Sequence, residues 1–278
     1  MAPTDKVREP AVAGMFYSGR KENLTREVAV FLENSNAVED VEHVYGLVAP
    51  HAGYLYSGGV AARAYRQVLD REYDTVVVIS PSHRVYFDEV SVFNGSAYST
   101  PLGPVTVDKE LARQICACHE DLLYSDLGHD IDEHALEVHL PFLQIVLEDF
   151  KLIPIVMGNQ DRENITILSD ALVKTLKGKK ALIVASTDLS HYYNHTKASV
   201  LDEVVLENTK NFDEDKLYDD IQSGACEMCG SGPLITTMKA CRALGATKSK
   251  VLLYRNSGDV TGDPVSYTHL TLPTNREV

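Results

Sequence analysis

The residues with the clearest chemistry are imidazole and thiol groups at distant points of the chain, each beside an apolar run or a helix start. His51 follows VYGLVAP, His83 follows TVVVISPS, and Cys229 precedes a glycine-rich segment. Loops that leave the carboxyl ends of neighbouring strands converge on one crevice in an α/β protein. The sequence therefore predicts that His51, His83 and Cys229 form a mononuclear metal site, with donor atoms within about 5 Å of one another.

Each of these motifs also has a plainer interpretation. Taken alone, the segment around His51 fits a metal ligand and a structural histidine bonded to the backbone about equally well. The same arrangement recurs at His83, just beyond Pro81, and this recurrence favours the ligand interpretation. Cys226 and Cys229 form a single CxxC, which fits a redox dithiol or half of a zinc site, but no second pair completes a zinc ribbon. A position near a helix N-terminus predicts a stabilised thiolate at Cys229.

A third loop contributes groups that can hold or move a proton. Asp188 and His191 occur in DLSHYYNH, directly after the apolar run ALIVAST. A carboxylate three residues before a histidine can orient its ring or hold a proton near the metal without binding it. We therefore expect His191 to act as a general acid or base, assisted by Asp188.

Polar side chains are dense in DIDEHALEVHLPFLQ, a segment about to enter an apolar helix. Glu133 and His139 are candidate pocket residues or supports for the ligands, and an equally weighted alternative is that they tie the loop to the sheet. The segment does not contain the HExxH zinc motif. Tyr54, which follows His51 by three residues, is a further candidate for lining the pocket.

Composition excludes several classes of protein. The 278 residues are 44% hydrophobic, which suits one large core, and a net charge of −14 disfavours nucleic acid as a partner. No apolar run approaches the roughly 18 residues of a membrane span, and no signal-peptide core is present, so we expect a cytoplasmic protein without membrane contact. The 5 cysteines are too few and too unevenly placed for a disulfide framework.

Apolar, β-branched runs alternate with segments of helical spacing, which predicts a single α/β domain with a mostly parallel sheet flanked by helices. The stretch from Pro264 mixes threonine, proline and charged residues without a helical period. We therefore expect residues 264–278 to be a non-native tail. Strands are predicted at 44–49, 75–80, 151–157, 180–186 and 250–254, with a further antiparallel strand near 89–94, and helices at 57–69, 161–177, 196–210 and 231–243.

A set of motifs in this order resembles one known family. They are REPAVAGMFY, APHAGYLYSG, SPSHRVYFD, DEHALEVHLPFLQ, STDLSHYY and MCGSGPL, spread over residues 8–262. Together they are similar to the Memo family, whose bacterial and archaeal members are called AmmeMemoRadiSam system protein B. The resemblance implies a Memo-like domain over residues 1–263 and a fold similar to class III extradiol dioxygenases, which use non-heme iron.

The resemblance also implies a set of site residues. In the dioxygenases two histidines and a carboxylate hold the metal, whereas a cysteine replaces the carboxylate in the Memo pattern. Carried onto this sequence, the ligands are His51, His83 and Cys229, with Asp188 and His191 lining the same pocket. A thiolate makes the site softer, so iron or copper is the favoured metal ion and zinc is also compatible.

Two functions from different classes follow from this resemblance. The first is a metal-dependent redox or oxygenase-like enzyme that acts on a small-molecule or peptide substrate with radical SAM system proteins as partners. The second is a non-catalytic module that binds a peptide or protein in the same crevice. Animal relatives are associated with phosphotyrosine-peptide recognition, but on these motifs only Arg84 is available to pair with a phosphate, which weakens that alternative.

Overall fold

The architecture is built on apolar runs that are long enough to be buried on both faces of a sheet. The structure, a computed structural model, describes residues 4–38, 41–129, 132–256 and, by backbone alone, 265–276. Its strands are β1 (Val7–Arg8), β2 (His43–Ala49), β3 (Thr75–Pro81), β4 (Val90–Phe93), β5 (Ala97–Thr100), β6 (Gly103–Thr106), β7 (Leu122–Ser125), β8 (Lys151–Met157), β9 (Ala181–Ser186), β10 (His191–Asn194), β11 (Lys248–Ser249), β12 (Leu253–Asn256) and β13 (Val265–Arg276).

The described strands form a 10-stranded sheet and a small 3-stranded one. The order of the main sheet is β10-β13-β2-β9-β3-β8-β4-β7, with β11 and β12 also paired to β13, and the small sheet has the order β1-β5-β6. The central strands β2, β9, β3 and β8 are parallel. β4 pairs antiparallel with β8 and parallel with β7, so the whole sheet is mixed.

Helices cover both faces of this sheet, as the alternating sequence pattern predicts. A 3₁₀ turn (Glu137–His139) leads directly into the fourth helix. The helices are α1 (Lys21–Glu33), α2 (Tyr54–Tyr65), α3 (Lys109–Cys116), α4 (Leu140–Val146), α5 (Arg162–Leu176), α6 (His195–Lys210), α7 (Glu214–Gln222) and α8 (Ser231–Leu244).

Two apolar clusters, one on each face of the sheet, form the core. Successive side chains of β3 point to opposite faces, so Val76 and Val78 belong to one cluster while Val77 and Ile79 belong to the other. All four side chains are completely buried. The continuous apolar run of β3 therefore reflects burial on both sides, as expected for a central parallel strand.

The predicted α/β fold class is confirmed, and most predicted elements lie within a few residues of the observed ones. The strand predicted at 250–254 lies at Leu253–Asn256. The helix predicted from residue 57 begins at Tyr54. The early helix α1 and the hairpin of β5 and β6 were not predicted, because their hydrophobic patterns are short and broken by charged or small residues.

Parallel pairing brings the carboxyl ends of the central strands to one edge of the sheet. Ala49, the last residue of β2, is paired with Ser186, the last residue of β9, and β3 ends at Pro81. The loops that follow β2 and β3 carry His51 and His83. Strand direction alone thus places these histidines in one region.

The C-terminal segment lies beside the central strands. The backbone of β13 runs antiparallel to β2 and also pairs with β10, β11 and β12. That pairing supplies a closing strand for the sheet, but it does not test whether the segment is native. The expectation that residues 264–278 form a non-native tail stays a prediction.

None of the helices in the described part of the chain combines the length and the apolar character that crossing a bilayer requires.

A buried histidine gives the fold a measurable pH dependence. His129 accepts a hydrogen bond from Tyr98 and donates one to the carbonyl of Ser91, and burial lowers its pKa to about 3. Below about pH 6.5 the unfolded chain binds a proton that the folded protein does not, so the free energy of unfolding falls as the pH drops. We expect His129→Gln to reduce this slope between about pH 6 and pH 4 by up to about 1.4 kcal/mol per pH unit.

Urea unfolding at a series of pH values measures that slope. His119→Gln is a matched control, since the His119 side chain is 41% exposed. An unchanged slope in His129→Gln would contradict the prediction.

Candidate metal centre

The ligand atoms of His51, His83 and Cys229 converge at the carboxyl edge of the central strands. One atom from each side chain lies within 4.8 Å of the other two. The Sγ of Cys229 is 3.3 Å from Nε2 of His51, and the two imidazole rings meet edge to face with centroids 5.0 Å apart. The proximity predicted from the sequence is therefore found, whereas the role of these residues as ligands stays a prediction.

Cys229 is brought to the site by a close approach between the start of α8 and the end of β9. A Cβ atom at Gly230 would lie 2.3 Å from the carbonyl oxygen of Ser186, so only glycine allows this approach. The backbone N–H of Asp188 donates to Sγ of Cys229 at 3.2 Å, and Gln160 donates to the carbonyl of Cys229 at 2.9 Å. These contacts fix the direction of the thiol.

The electrostatics of Cys229 differ from the sequence expectation. Burial, reinforced by the nearby charge of Asp188, raises the pKa of the Cys229 thiol to about 12. The predicted stabilisation of the thiolate by the helix dipole is thus wrong for the metal-free protein, because desolvation and the carboxylate outweigh it. A metal ion that binds here must displace the thiol proton.

Glu133 supports His83. Oε1 of Glu133 lies 3.1 Å from Nδ1 of His83, and Oε2 accepts the backbone N–H of His83 at 2.6 Å. Oε1 also accepts the backbone N–H groups of His134 and Ala135, both at 2.9 Å. Burial opposes ionisation, but the hydrogen bonds that Glu133 accepts and its electrostatic interaction with His83 lower the pKa of Glu133 to about 2. Glu133 is therefore a carboxylate that orients the His83 ring.

His134 is the functional candidate that the sequence analysis missed. Its ring stacks on His83 with centroids 5.3 Å apart and meets His51 edge to face at 5.6 Å. The signal was its position beside Glu133 in a segment dense in polar residues. Ligand atoms of His83, Glu133 and His134 also lie within 4.8 Å of one another, but hydrogen bonds already occupy the Glu133 oxygens, which makes this second group a weaker metal site.

The other predicted support residues lie beneath the site. His139 is buried with Nδ1 2.8 Å from the hydroxyl of Tyr65, and burial lowers its pKa to about 3. Tyr54 is buried in the core, where its hydroxyl donates to the carbonyl of Val138 at 2.7 Å. Both residues anchor the segment that carries Glu133, and the hydroxyl of Tyr54 is committed to the backbone there.

Asp188 reaches the centre, while His191 lies further along the same loop. Oδ2 of Asp188 is 3.6 Å from Nε2 of His51, and Asp188 is buried. His191 is partly exposed at the start of β10, where its backbone N–H donates to Glu227 at 3.4 Å and its ring lies 6.1 Å from that of Tyr192. Its role as an acid or base stays a prediction.

Comparison with known proteins identifies the family. The family model described as "Memo-like protein" matches residues 8–271. A MEMO1 family protein of Methanosarcina mazei is 41% identical over 261 residues, covering 93% of this chain and 95% of that protein. The chain belongs to the Memo family. A MEMO1 family protein of Methanobrevibacter smithii is 37% identical over 269 residues, covering 92% of this chain and 95% of that protein.

A solved structure shares the fold of this Memo-family chain. The crystal structure of the uncharacterized protein JW3007 from Escherichia coli K12 superposes with a TM-score of 0.58 and 12% sequence identity. The match covers 84% of this chain and 100% of the other. At this identity the likeness concerns the arrangement of strands and helices.

The donor set of this Memo-family chain fits the metal ion that the resemblance implies. Two imidazoles and one thiol are a borderline-to-soft set that suits iron, copper or zinc. Burial lowers the pKa of His51 well below its usual value, so this imidazole is neutral, as a ligand must be.

A buried ion pair ties the N-terminal segment to the turn that supports the site. Glu137 is completely buried and receives hydrogen bonds from Arg8, from the hydroxyl of Tyr17 at 2.5 Å, and from the backbone N–H groups of Ala11 and Val12 at 2.6 and 3.0 Å. Arg8 also donates to the carbonyl of Glu133. Arg8 and the N-terminal segment thus hold both ends of the Glu133–Glu137 turn.

This pair should be essential for stability. Glu137→Gln leaves the buried guanidinium of Arg8 without its carboxylate, and breaking such a pair costs about 3–5 kcal/mol of the free energy of unfolding. Urea unfolding of the metal-free protein measures the loss. Glu72→Gln, at the exposed pair with Lys180, is a control that should change stability little. A loss as small as the control's would refute the expectation.

Proposed function

We propose that this Memo-family protein is a metal-dependent redox enzyme of the oxygenase-like type, with one transition-metal ion held by His51, His83 and Cys229. Iron or copper is the favoured ion, and zinc is compatible. The observation that supports the proposal is the convergence of these three donor side chains within 4.8 Å, from loops that follow different strands. We further propose that it acts with radical SAM system proteins on a small organic or peptide substrate.

When bound, an iron or copper ion would supply redox chemistry and an open coordination position, whereas zinc, which has no redox chemistry, would supply only a Lewis acid. The chain's own residues prepare that position. Glu133 holds the His83 ring, and the backbone N–H of Asp188 holds the sulfur of Cys229. His51 and Asp188 are buried, which strengthens local electrostatic interactions, whereas His83 lies on the exposed side of the site.

Proton transfer is assigned to the loop after β9. The Asp188 carboxylate, 3.6 Å from Nε2 of His51, can accept the proton that the Cys229 thiol releases on ligation. His191, three residues further on and partly exposed, is proposed to exchange protons between substrate and solvent. Neither side chain needs to bind the metal for these roles.

A second candidate function is a non-catalytic module that binds a peptide or protein in the same crevice. Exposed aromatic side chains on the segments that follow β2, β3 and β9 favour it. Tyr86, in the loop after β3, is 80% exposed, Tyr192 in β10 is 74% exposed, and Tyr56 in α2 is 42% exposed. Aromatic side chains are common anchors in recognition surfaces. Binding without turnover would identify this function.

Metal analysis followed by oxygen uptake tests the enzyme proposal. Protein purified without added metal should contain about one equivalent of iron or copper, and His51→Ala should lose it because one of the three ligands is gone. His191→Ala should retain the metal but lose turnover by about 10²–10⁴-fold, the usual contribution of an acid or base. Metal loss in His191→Ala would make it a ligand, and full turnover without metal would refute the proposal.

The sulfur ligand predicts a selective change in metal preference. Cys229→Ser replaces a soft donor by a hard one, so copper(I) affinity should fall by at least about tenfold while manganese(II) affinity changes much less. Competition titrations under reducing conditions measure both affinities. Cys226→Ser is the matched control, because Cys226 is 2% exposed in the apolar core. Equal copper affinity in the wild type and Cys229→Ser would show that Cys229 only packs.

A further inference from the structure

Ser186 contacts Nδ1 of His51, the ring nitrogen that does not face Cys229. Its Oγ lies 2.7 Å from Nδ1 of His51 and 2.6 Å from the carbonyl oxygen of Ala135. Ser186 is completely buried and His51 is 3% exposed. These contacts link the end of β9, the loop after β2 and the Glu133–Glu137 turn.

The donors and acceptors in this chain determine where the hydrogens lie. A carbonyl oxygen can only accept, so the single hydroxyl hydrogen of Ser186 goes to Ala135. Oγ of Ser186 can then only accept from His51, which places a hydrogen on Nδ1 of that ring. A neutral imidazole carries one N–H, so Nε2 of His51 is left with a lone pair. That lone pair is on the nitrogen that lies 3.3 Å from Sγ of Cys229.

The Glu133–Glu137 turn also fixes the position of a ring hydrogen on His83. The Glu133 carboxylate lacks hydrogens and accepts from Nδ1 of His83, which leaves Nε2 of His83 for a ligand. Ala135, which receives the Ser186 hydroxyl, donates its own N–H to Oε1 of Glu133 at 2.9 Å. One short turn therefore supports both rings, through a carboxylate for His83 and through a serine for His51.

We propose that Ser186 is a positioning residue that selects the Nδ1–H tautomer of His51 and so makes Nε2 its ligating nitrogen. The link to metal affinity rests on the proposed function, whereas the tautomer is a property of the metal-free protein. Without the serine, Nδ1 loses its acceptor and the ring is free to place its hydrogen on Nε2, where it blocks the lone pair needed for ligation.

Nitrogen NMR of metal-free protein labelled with ¹⁵N-histidine tests the tautomer directly. Long-range ¹H–¹⁵N spectra distinguish the two ring nitrogens, and His51→Asn assigns the signals. The wild type should show the Nδ1–H form of His51, and Ser186→Ala should shift the ring towards the Nε2–H form. Ser80→Ala is the matched control: Ser80 is a fully buried serine of β3 whose Oγ has no hydrogen-bond partner among the described residues.

Cobalt(II) titration, followed by the visible absorption of the thiolate complex, gives a second measurement. Ser186→Ala should bind Co²⁺ about 10–100-fold more weakly than wild type, while Ser80→Ala should stay within about twofold of it. Thermal unfolding confirms that each variant is folded before titration.

The two measurements separate the two proposals. An Nε2–H tautomer of His51 in the wild type, or a Ser186→Ala variant with unchanged tautomer, would overturn the role of Ser186. An Nδ1–H tautomer that is lost in Ser186→Ala, in a protein that binds no metal, would support tautomer selection and overturn the proposed function.

Discussion

The arrangement of His51, His83 and Cys229 depends on the hydrogen bonds that two buried carboxylates accept in one turn. Glu137 holds the N-terminal segment through Arg8 and two backbone N–H groups, and Glu133 holds His83. Burying a carboxylate is costly unless hydrogen bonds compensate the loss of water. Each carboxylate receives several such bonds, so the turn tolerates little displacement. A turn fixed in this way keeps both histidines in place before any ligand binds.

The sheet sets where the loops after its strands lie, and those loops carry the donor side chains. Parallel pairing of β2, β9 and β3 aligns the strand ends, so that residues over 130 positions apart in sequence become neighbours. The turn that leads into α8 then completes the set with the thiol of Cys229. Donor atoms from such distant segments meet only when the whole domain is folded. A metal ion that bound at this centre would therefore stabilise the fold as a whole.

Strand-end histidines could be predicted from sequence because their chemistry and their position are both local features. His51 and His83 each follow an apolar run, and the direction of a parallel strand settles where the next residues lie. His134 and Ser186 could not be predicted in the same way. Their importance depends on ring stacking with His83 and on a hydroxyl shared between His51 and Ala135. Such contacts arise from the packing of separate loops, and no local pattern encodes them. The pKa of the Cys229 thiol is likewise set by desolvation and the nearby Asp188 carboxylate, and its position near a helix start in the sequence does not predict it.

The protonated state of Cys229 also bears on the chemical reactivity of its sulfur. A thiolate reacts readily with oxidants and electrophiles, whereas a neutral thiol is a poor nucleophile. With the pKa of Cys229 raised to about 12, almost all of the sulfur keeps its hydrogen at neutral pH. The sulfur of Cys229 is therefore expected to react slowly with oxidants and alkylating reagents. A metal ion that bound at this centre would displace the hydrogen and leave the sulfur as a metal-bound thiolate.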